Sequence, residues 1–185
     1  MNLQAHLLEL VRLAATDLPE DVEASLKAAA EAEEGGYSAR LLLETILENI
    51  LIARRRSTPI CQDTGTPLFY VQHPAGISQR KMRQEIWAAV SEATRLYYLR
   101  PNAVHPISGT NTGNNLGDDF FPDIHFEEGD IPGDTLTVDL LLKGGGCENV
   151  GVQYTLPESQ LAAGRDLAGV RRVVLDAVVK AQGKG

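Results

Sequence analysis

Two runs of apolar positions at helical spacing, with an Ala- and Glu-rich run between them, fill the first fifty residues. Leu3, Leu7, Leu8, Leu10 and Val11 make the first. The stretch Thr16 to Asp21 ends it and starts a second, with Pro19 suited to a first helical position and acids behind it. The second run, rich in Ala and Glu, extends to about Glu34, where Gly35–Gly36 is a carboxyl-terminal stop and Ser38 a cap for the next helix. Leu41, Leu42, Ile46, Leu47 and Ile50 mark that third helix. Residues 1–57 therefore read as a small helical bundle, closed by Arg54–Arg55–Arg56 near a helix end, where cations favour the dipole and are solvated.

After Pro59 the pattern changes. Leu68, Phe69, Tyr70 and Val71 form a short unbroken apolar run, which predicts a buried strand over about Thr66 to Gln72, ended by Pro74 and Gly76. Ser78 can cap a long helix through about Leu99, with Met82, Ile86, Ala89, Val90 and Ala93 on one stripe and Trp87 packed beside it. Residues 101–142 are punctuated by Gly109, Gly113, Gly117, Gly129 and Gly133, which predicts loop-rich chain leading into strands. Leu136, Val138 and Leu140 alternate as a strand does, and Val170, Val173, Val174, Ala177 and Val178 give a last amphipathic helix before Gly183–Lys184–Gly185. The predicted fold class is α+β: a helical bundle over 1–57, then mixed strands and long helices over 58–185.

Composition narrows the function classes. A chain of 185 residues with 43% hydrophobic and 23% charged residues can bury a core. Its net charge of −8 disfavours a basic nucleic-acid binder. No apolar run approaches the roughly 18 residues of a membrane span. The first basic residue is Arg12, so a signal peptide's charged region is not evident and a cytoplasmic address is expected. Two cysteines, Cys61 and Cys147, read as thiols or metal ligands rather than a disulfide framework.

Three constellations can carry chemistry. In Pro59–Ile60–Cys61–Gln62–Asp63–Thr64–Gly65–Thr66 a thiol, an amide and a carboxylate crowd the turn before the strand. A thiolate there can ligate a soft metal while Gln62 and Asp63 bond a substrate or orient water; an Asx-type turn with an incidental thiol is the plainer alternative. Lys143–Gly144–Gly145–Gly146–Cys147 ends the alternating strand, where successive glycine amides and a lysine can hold a carboxylate, or can simply make a bulged strand end. The order is wrong for a phosphate-binding P-loop. The third constellation is Leu99–Arg100–Pro101–Asn102, leading into His105–Pro106 and Asn111–Thr112–Gly113–Asn114–Asn115. Arg100 is the last cation before Lys143, in a stretch of chain that holds eight acids, so its guanidinium serves either an ion pair or an anionic ligand. His105 and His125 read singly as structural histidines, and the Asn and Thr residues as serving their own turns.

In this order, CQDTGT, LRPNAVHP, NTGNN and KGGGCENVGVQY over residues 59–154 resemble the iron–sulfur-dependent hydro-lyases, the class I fumarases and L(+)-tartrate dehydratases. The resemblance implies a [4Fe–4S] cluster held by three cysteines, with one iron open as a Lewis acid for reversible hydration of a small dicarboxylate, fumarate or malate first and tartrate next. It implies Cys61 as a cluster ligand and Gln62, Asp63, Arg100 and the Gly146 amide as substrate contacts. Cys147 departs from the family pattern, which often has serine there, and reads as a spectator thiol near the site, a cluster ligand being the weaker alternative. The other two cysteines and the catalytic acid–base residue are expected beyond Gly185, so the chain reads as the amino-terminal part of an alpha domain that needs the rest of that domain, and a beta domain or subunit, in a homo- or hetero-oligomer. Two other readings stay open: a non-catalytic binding or assembly module without its own metal, and a metal-free carboxylate-binding regulatory domain.

Overall fold

A computed structural model describes residues 2–33, 38–117, 121–129 and 135–182. Gly35–Gly36, Gly133, the closing Gly183–Lys184–Gly185 and the side chain of Cys147 lie outside the described residues. The elements are α1 (Leu3–Thr16), α2 (Glu20–Ala32), α3 (Ser38–Arg56), β1 (Thr66–His73), α4 (Gln79–Arg95), β2 (Asp123–Glu128), β3 (Thr137–Lys143), a 3-10 helix (Gly145–Val150) and α5 (Leu167–Ala181). This is the expected α+β arrangement, with helices first. Pro19 caps α2 from outside its first turn, and Ser38 is the first helical residue of α3 rather than the residue before it. The chain divides into two compact units, Met1–Lys143 and Gly144–Gly185. Among the described residues no helix is long and apolar enough to cross a membrane.

The first unit is built on a three-stranded sheet in the order β2-β1-β3, with β1 parallel to β2 and antiparallel to β3. α1 packs on α4 and on β3 and more lightly on α3, while α2 packs on α3. Leu7 and Val11 of α1, Phe69 and Val71 of β1, and Met82, Ile86, Ala89, Val90 and Ala93 of α4 bury one another together with Leu99 and Ile124. Each large side chain so buried contributes on the order of 1.5–3 kcal/mol. Trp87 packs against this cluster, as its place beside the apolar stripe predicts.

β1 is half-buried rather than buried on both faces. Phe69 and Val71 point into the core, but Tyr70 between them is 44% exposed, because the helices cover only one side of the sheet. On the open face Tyr70 stacks on His125 at 4.9 Å between ring centroids. β2 carries the polar sequence Asp-Ile-His-Phe-Glu-Glu, which gives a weak periodic signal; it is a strand because it pairs with β1 in parallel register, Leu68 beside Asp123 and Val71 beside Phe126.

α4 ends at Arg95, four residues short of the predicted end at Leu99. Tyr97 adopts a left-handed conformation (φ 63°), so that Tyr97 N–H donates to Thr94 O (3.1 Å) and Tyr98 N–H to Ala93 O (2.9 Å). This is a Schellman closure made without glycine, so the usual sequence mark of a helix end is absent. Its result is to bury Leu99 and to send Arg100 off the helix.

Arg54 does more than favour a helix dipole. Its guanidinium bonds Asp17 between α1 and α2 (2.6 Å) and Glu23 of α2 (2.6 Å), which also pairs with Lys27 (2.7 Å). Hydrogen bonds from Arg54 hold the carboxyls of Asp17 and Glu23 below the usual carboxylate range.

In the second unit Asp166 caps α5, accepting from Gly169 N–H at 2.7 Å, and Tyr154 O–H donates to Asp176, which also pairs with Lys180 (2.6 Å). Of the apolar stripe predicted for α5, Val173 is buried while Val170, Val174 and Val178 are exposed.

Because the Asp17 and Glu23 carboxyls are more acidic in the folded state, their contribution is present above the usual carboxylate range and is lost as pH falls from that range through their lowered folded-state values. Urea unfolding from about pH 7 down to about pH 3 should therefore show Arg54→Met losing midpoint at neutrality but declining less steeply with acid than the parent. Parallel declines would show that these pairs do not shape acid stability.

Candidate functional site

The antiparallel pairing of β1 with β3 brings the start of one strand beside the end of the other, with Thr66 opposite Lys143. The turn carrying Cys61, Gln62 and Asp63 thus enters the sheet next to the strand end that leads into the glycine run. Its approach is tied down from two helices: Asn49 Nδ2 of α3 donates to Ile60 O (2.9 Å), and Ile60 N–H to Ala15 O of α1 (3.0 Å). Gly65 makes the closest contact. Its φ is 74°, and a Cβ there would lie 2.8 Å from the backbone carbon of Lys143 and 2.9 Å from that of Leu142. Glycine is the residue that permits both the conformation and the approach.

Within the turn, Cys61, Gln62 and Asp63 are exposed and Thr64 is buried. Asp63 Oδ1 accepts from Gly65 N–H at 3.0 Å, the Asx turn that the residue types allow, and this orients the carboxylate. Thr64 Oγ1 accepts from Arg100 N–H (2.9 Å) and from Asn102 Nδ2 (3.3 Å). Arg100 reaches back, donating from Nη1 to Gln62 O at 3.3 Å. The first and third constellations of the sequence are therefore one structure, joined across thirty-six residues.

Arg100 is exposed, and among the described residues it forms no ion pair with a carboxylate. Of the two roles open to it from the sequence, the ion pair thus has no partner among the described residues. Its planar fork suits a bidentate carboxylate.

Gly146 lies in the second unit, half-buried within the 3-10 helix Gly145–Val150, a turn of helix rather than a bulged strand end. His105 Nδ1 accepts from Ser108 N–H (3.1 Å), and His125 pairs with Asp123 (3.0 Å). A cleft of about 640 Å³ opens among Asn102, His105, Ser108, Thr112, Leu116 and Phe121. Among the described residues no three His, Cys, Asp or Glu side chains gather as a metal site. Cys61 is the described thiol, and it offers one soft ligand.

Sequence reasoning missed three residues that hold this site, Thr64, Asn102 and Asn115. Asn115 lies in the Asn-rich run and has a left-handed φ of 57°, but it is 1% exposed and serves the Arg100 segment rather than its own turn.

A family model described as fumarate hydratase (Fumerase) matches residues 4–185. The chain belongs to the fumarate hydratase family. It is 43% identical over 180 residues to a protein of Geobacillus stearothermophilus provisionally named fumarate hydratase class I, covering 96% of this chain and 34% of that one. It is 33% identical over 188 residues to a protein of Methanocaldococcus jannaschii provisionally named L(+)-tartrate dehydratase subunit alpha, covering 100% of this chain and 63% of that one. To the L(+)-tartrate dehydratase subunit alpha of Escherichia coli it is 31% identical over 153 residues, covering 78% of this chain and 47% of the relative. The fumarate hydratase-family chain thus spans between a third and two thirds of the length of these relatives.

Placing a methyl group at Gly65 forces either a strained φ or a shift of the β3 backbone. Gly65→Ala should lower the unfolding free energy by about 2–3 kcal/mol, read as a fall in urea midpoint. An unchanged midpoint would show that the turn does not need this close approach.

Proposed function

We propose that this chain is part of a [4Fe–4S]-dependent hydro-lyase that reversibly adds water to, or removes it from, a small dicarboxylate, with fumarate and malate the first candidates and tartrate the next. The observation that carries the reading is the exposed Arg100 guanidinium, without a described carboxylate partner and fastened to the Cys61–Gln62–Asp63 turn, in a chain of the fumarate hydratase family. Arg100 binds one substrate carboxylate through its fork. The Gln62 amide and the Asp63 carboxylate bond the substrate beside it, Asp63 being aimed by the Gly65 N–H. The Gly146 amide supplies a further donor.

The donor set fits one corner of a cluster and not a complete site. Cys61 is one ligand; two more cysteines, and the acid–base residue, come from polypeptide outside these 185 residues. Cys147 stays a spectator. When bound, the cluster supplies a Lewis-acidic iron for the substrate hydroxyl. The names of the alpha-subunit relatives support a partner beta portion, as a fused domain or a separate subunit. A cytoplasmic address completes the reading.

Anaerobic iron–sulfide reconstitution should yield a visible chromophore and fumarate hydration only when this chain is joined to the remainder of the alpha domain and its beta portion. If that assembly gives neither, the chain is a metal-free binding or assembly module. In the assembled enzyme Cys61→Ser should abolish the chromophore; its survival would remove Cys61 from the ligand set. Arg100→Lys keeps the charge but loses the fork, and should weaken substrate binding about tenfold to a hundredfold, the equivalent of roughly 1.5–3 kcal/mol. Unchanged kinetics would exclude Arg100 from the site.

A further inference from the structure

Four consecutive residues, Arg100 to Ala103, run between α4 and the next loop with almost no backbone partners of their own. Five of their peptide N–H and C=O groups bond side chains instead. Thr64 Oγ1 accepts from Arg100 N–H (2.9 Å). Asn115 Nδ2 donates to Arg100 O (2.6 Å) and to Thr94 Oγ1 (3.0 Å), while its Oδ1 accepts from Asn102 N–H (2.7 Å) and Ala103 N–H (3.1 Å). Asn111 Nδ2 donates to Pro101 O (2.7 Å). Asn115 is 1% exposed and Thr64 6% exposed, and Asn115 fills all four of its bonding positions, so it has no capacity left for a ligand.

We propose that Thr64 and Asn115 are positioning residues that grip the peptide units on either side of Arg100 and so fix where its guanidinium meets the substrate carboxylate. The inference rests on the reading of Arg100 as a substrate contact. Both grips lie within two peptide units of the Arg100 Cα, and one of them comes from the same turn that presents Gln62 and Asp63. Loosening either lets the guanidinium drift relative to those groups, and misplacement of that kind is costly to binding. Thr94 O–H donates to Val90 O (2.8 Å) and receives Asn115, which anchors the clamp to the last turns of α4.

The test uses the complete enzyme, this chain with the rest of its alpha domain and its beta portion, and steady-state fumarate hydration. Asn115→Gly accepts the left-handed φ and removes the side-chain bonds together with the buried side-chain volume; Thr64→Val keeps the shape and removes the acceptor, while Thr64→Ser keeps it. Asn115→Gly and Thr64→Val should each raise KM about tenfold with kcat held within about twofold, and Thr64→Ser should stay near the parent. In an Arg100→Ala background Asn115→Gly should add less than about twofold, because its effect passes through Arg100. If Arg100→Ala raises KM and Asn115→Gly adds its full effect on top, or if the variants lower kcat with KM unchanged, the clamp is overturned while Arg100 keeps its role. If Arg100→Ala leaves KM unchanged, both assignments fall. Should Asn115→Gly not fold, the contrast between Thr64→Val and Thr64→Ser decides: equal KM values overturn the clamp.

Discussion

The constraint on which the candidate site depends is that a chain leaving a helix must still satisfy its peptide groups. After the Schellman closure at Tyr97 the backbone passes Leu99 into the core and emerges as Arg100 with no strand or helix to join. The segment is exposed at Arg100, Pro101 and Asn102 and buried at Ala103, and a buried peptide group without a partner costs on the order of 1–3 kcal/mol, so side-chain partners matter most where the segment turns inward. Thr64 and Asn115 provide them, from opposite sides in sequence. The same bonds that meet this local need bring the Arg100 segment onto the Cys61–Asp63 turn.

Sheet topology makes that meeting possible. β1 is central, its start lies beside the end of β3, and α1 and α4 cover one face only. The core formed by Phe69, Val71, Ile86, Val90 and Leu99 fixes the height of β1 against the end of α4. Gly65 then lets the preceding turn lie against the Lys143 backbone. Packing of ordinary apolar side chains thus sets the separation, and a few hydrogen bonds set the orientation.

Much of this was legible in the residues, and each failure has a physical cause. Helical spacing found α1, α3, α4 and α5 because their stripes are long, an Ala- and Glu-rich run after Pro19 found α2, and alternation found β3 through Leu136, Val138 and Leu140. β2 escaped because a strand whose one requirement is to pair with β1 can be mostly polar. The end of α4 escaped because Tyr97 takes the left-handed position usually marked by glycine. Arg54 looked like a solvated cation because its partners, Asp17 and Glu23, lie more than thirty residues away. As candidates, Arg100 stands out by its isolation among acids and Cys61, Gln62 and Asp63 by their crowding in a turn, and the structure joins the two segments. Asn115 does not stand out, since an Asn in a run of Asn and Gly reads as turn chemistry until its four partners are known.

The negative charge of the whole chain is compatible with an anion-binding role because surface charges are screened over about 8 Å at physiological salt. What an arriving carboxylate meets is set by the groups within that distance. At the turn these include a guanidinium whose single described acceptor is the Gln62 carbonyl. Because the peptide groups around Arg100 are already satisfied by Thr64, Asn111 and Asn115, the guanidinium does not have to serve its own backbone. Arg100 is exposed, and its guanidinium carries donors beyond the one on Gln62 O. Neutral side chains, buried at Thr64 and Asn115 and exposed at Asn111, hold the backbone, and the one formal positive charge of the segment has no carboxylate partner among the described residues.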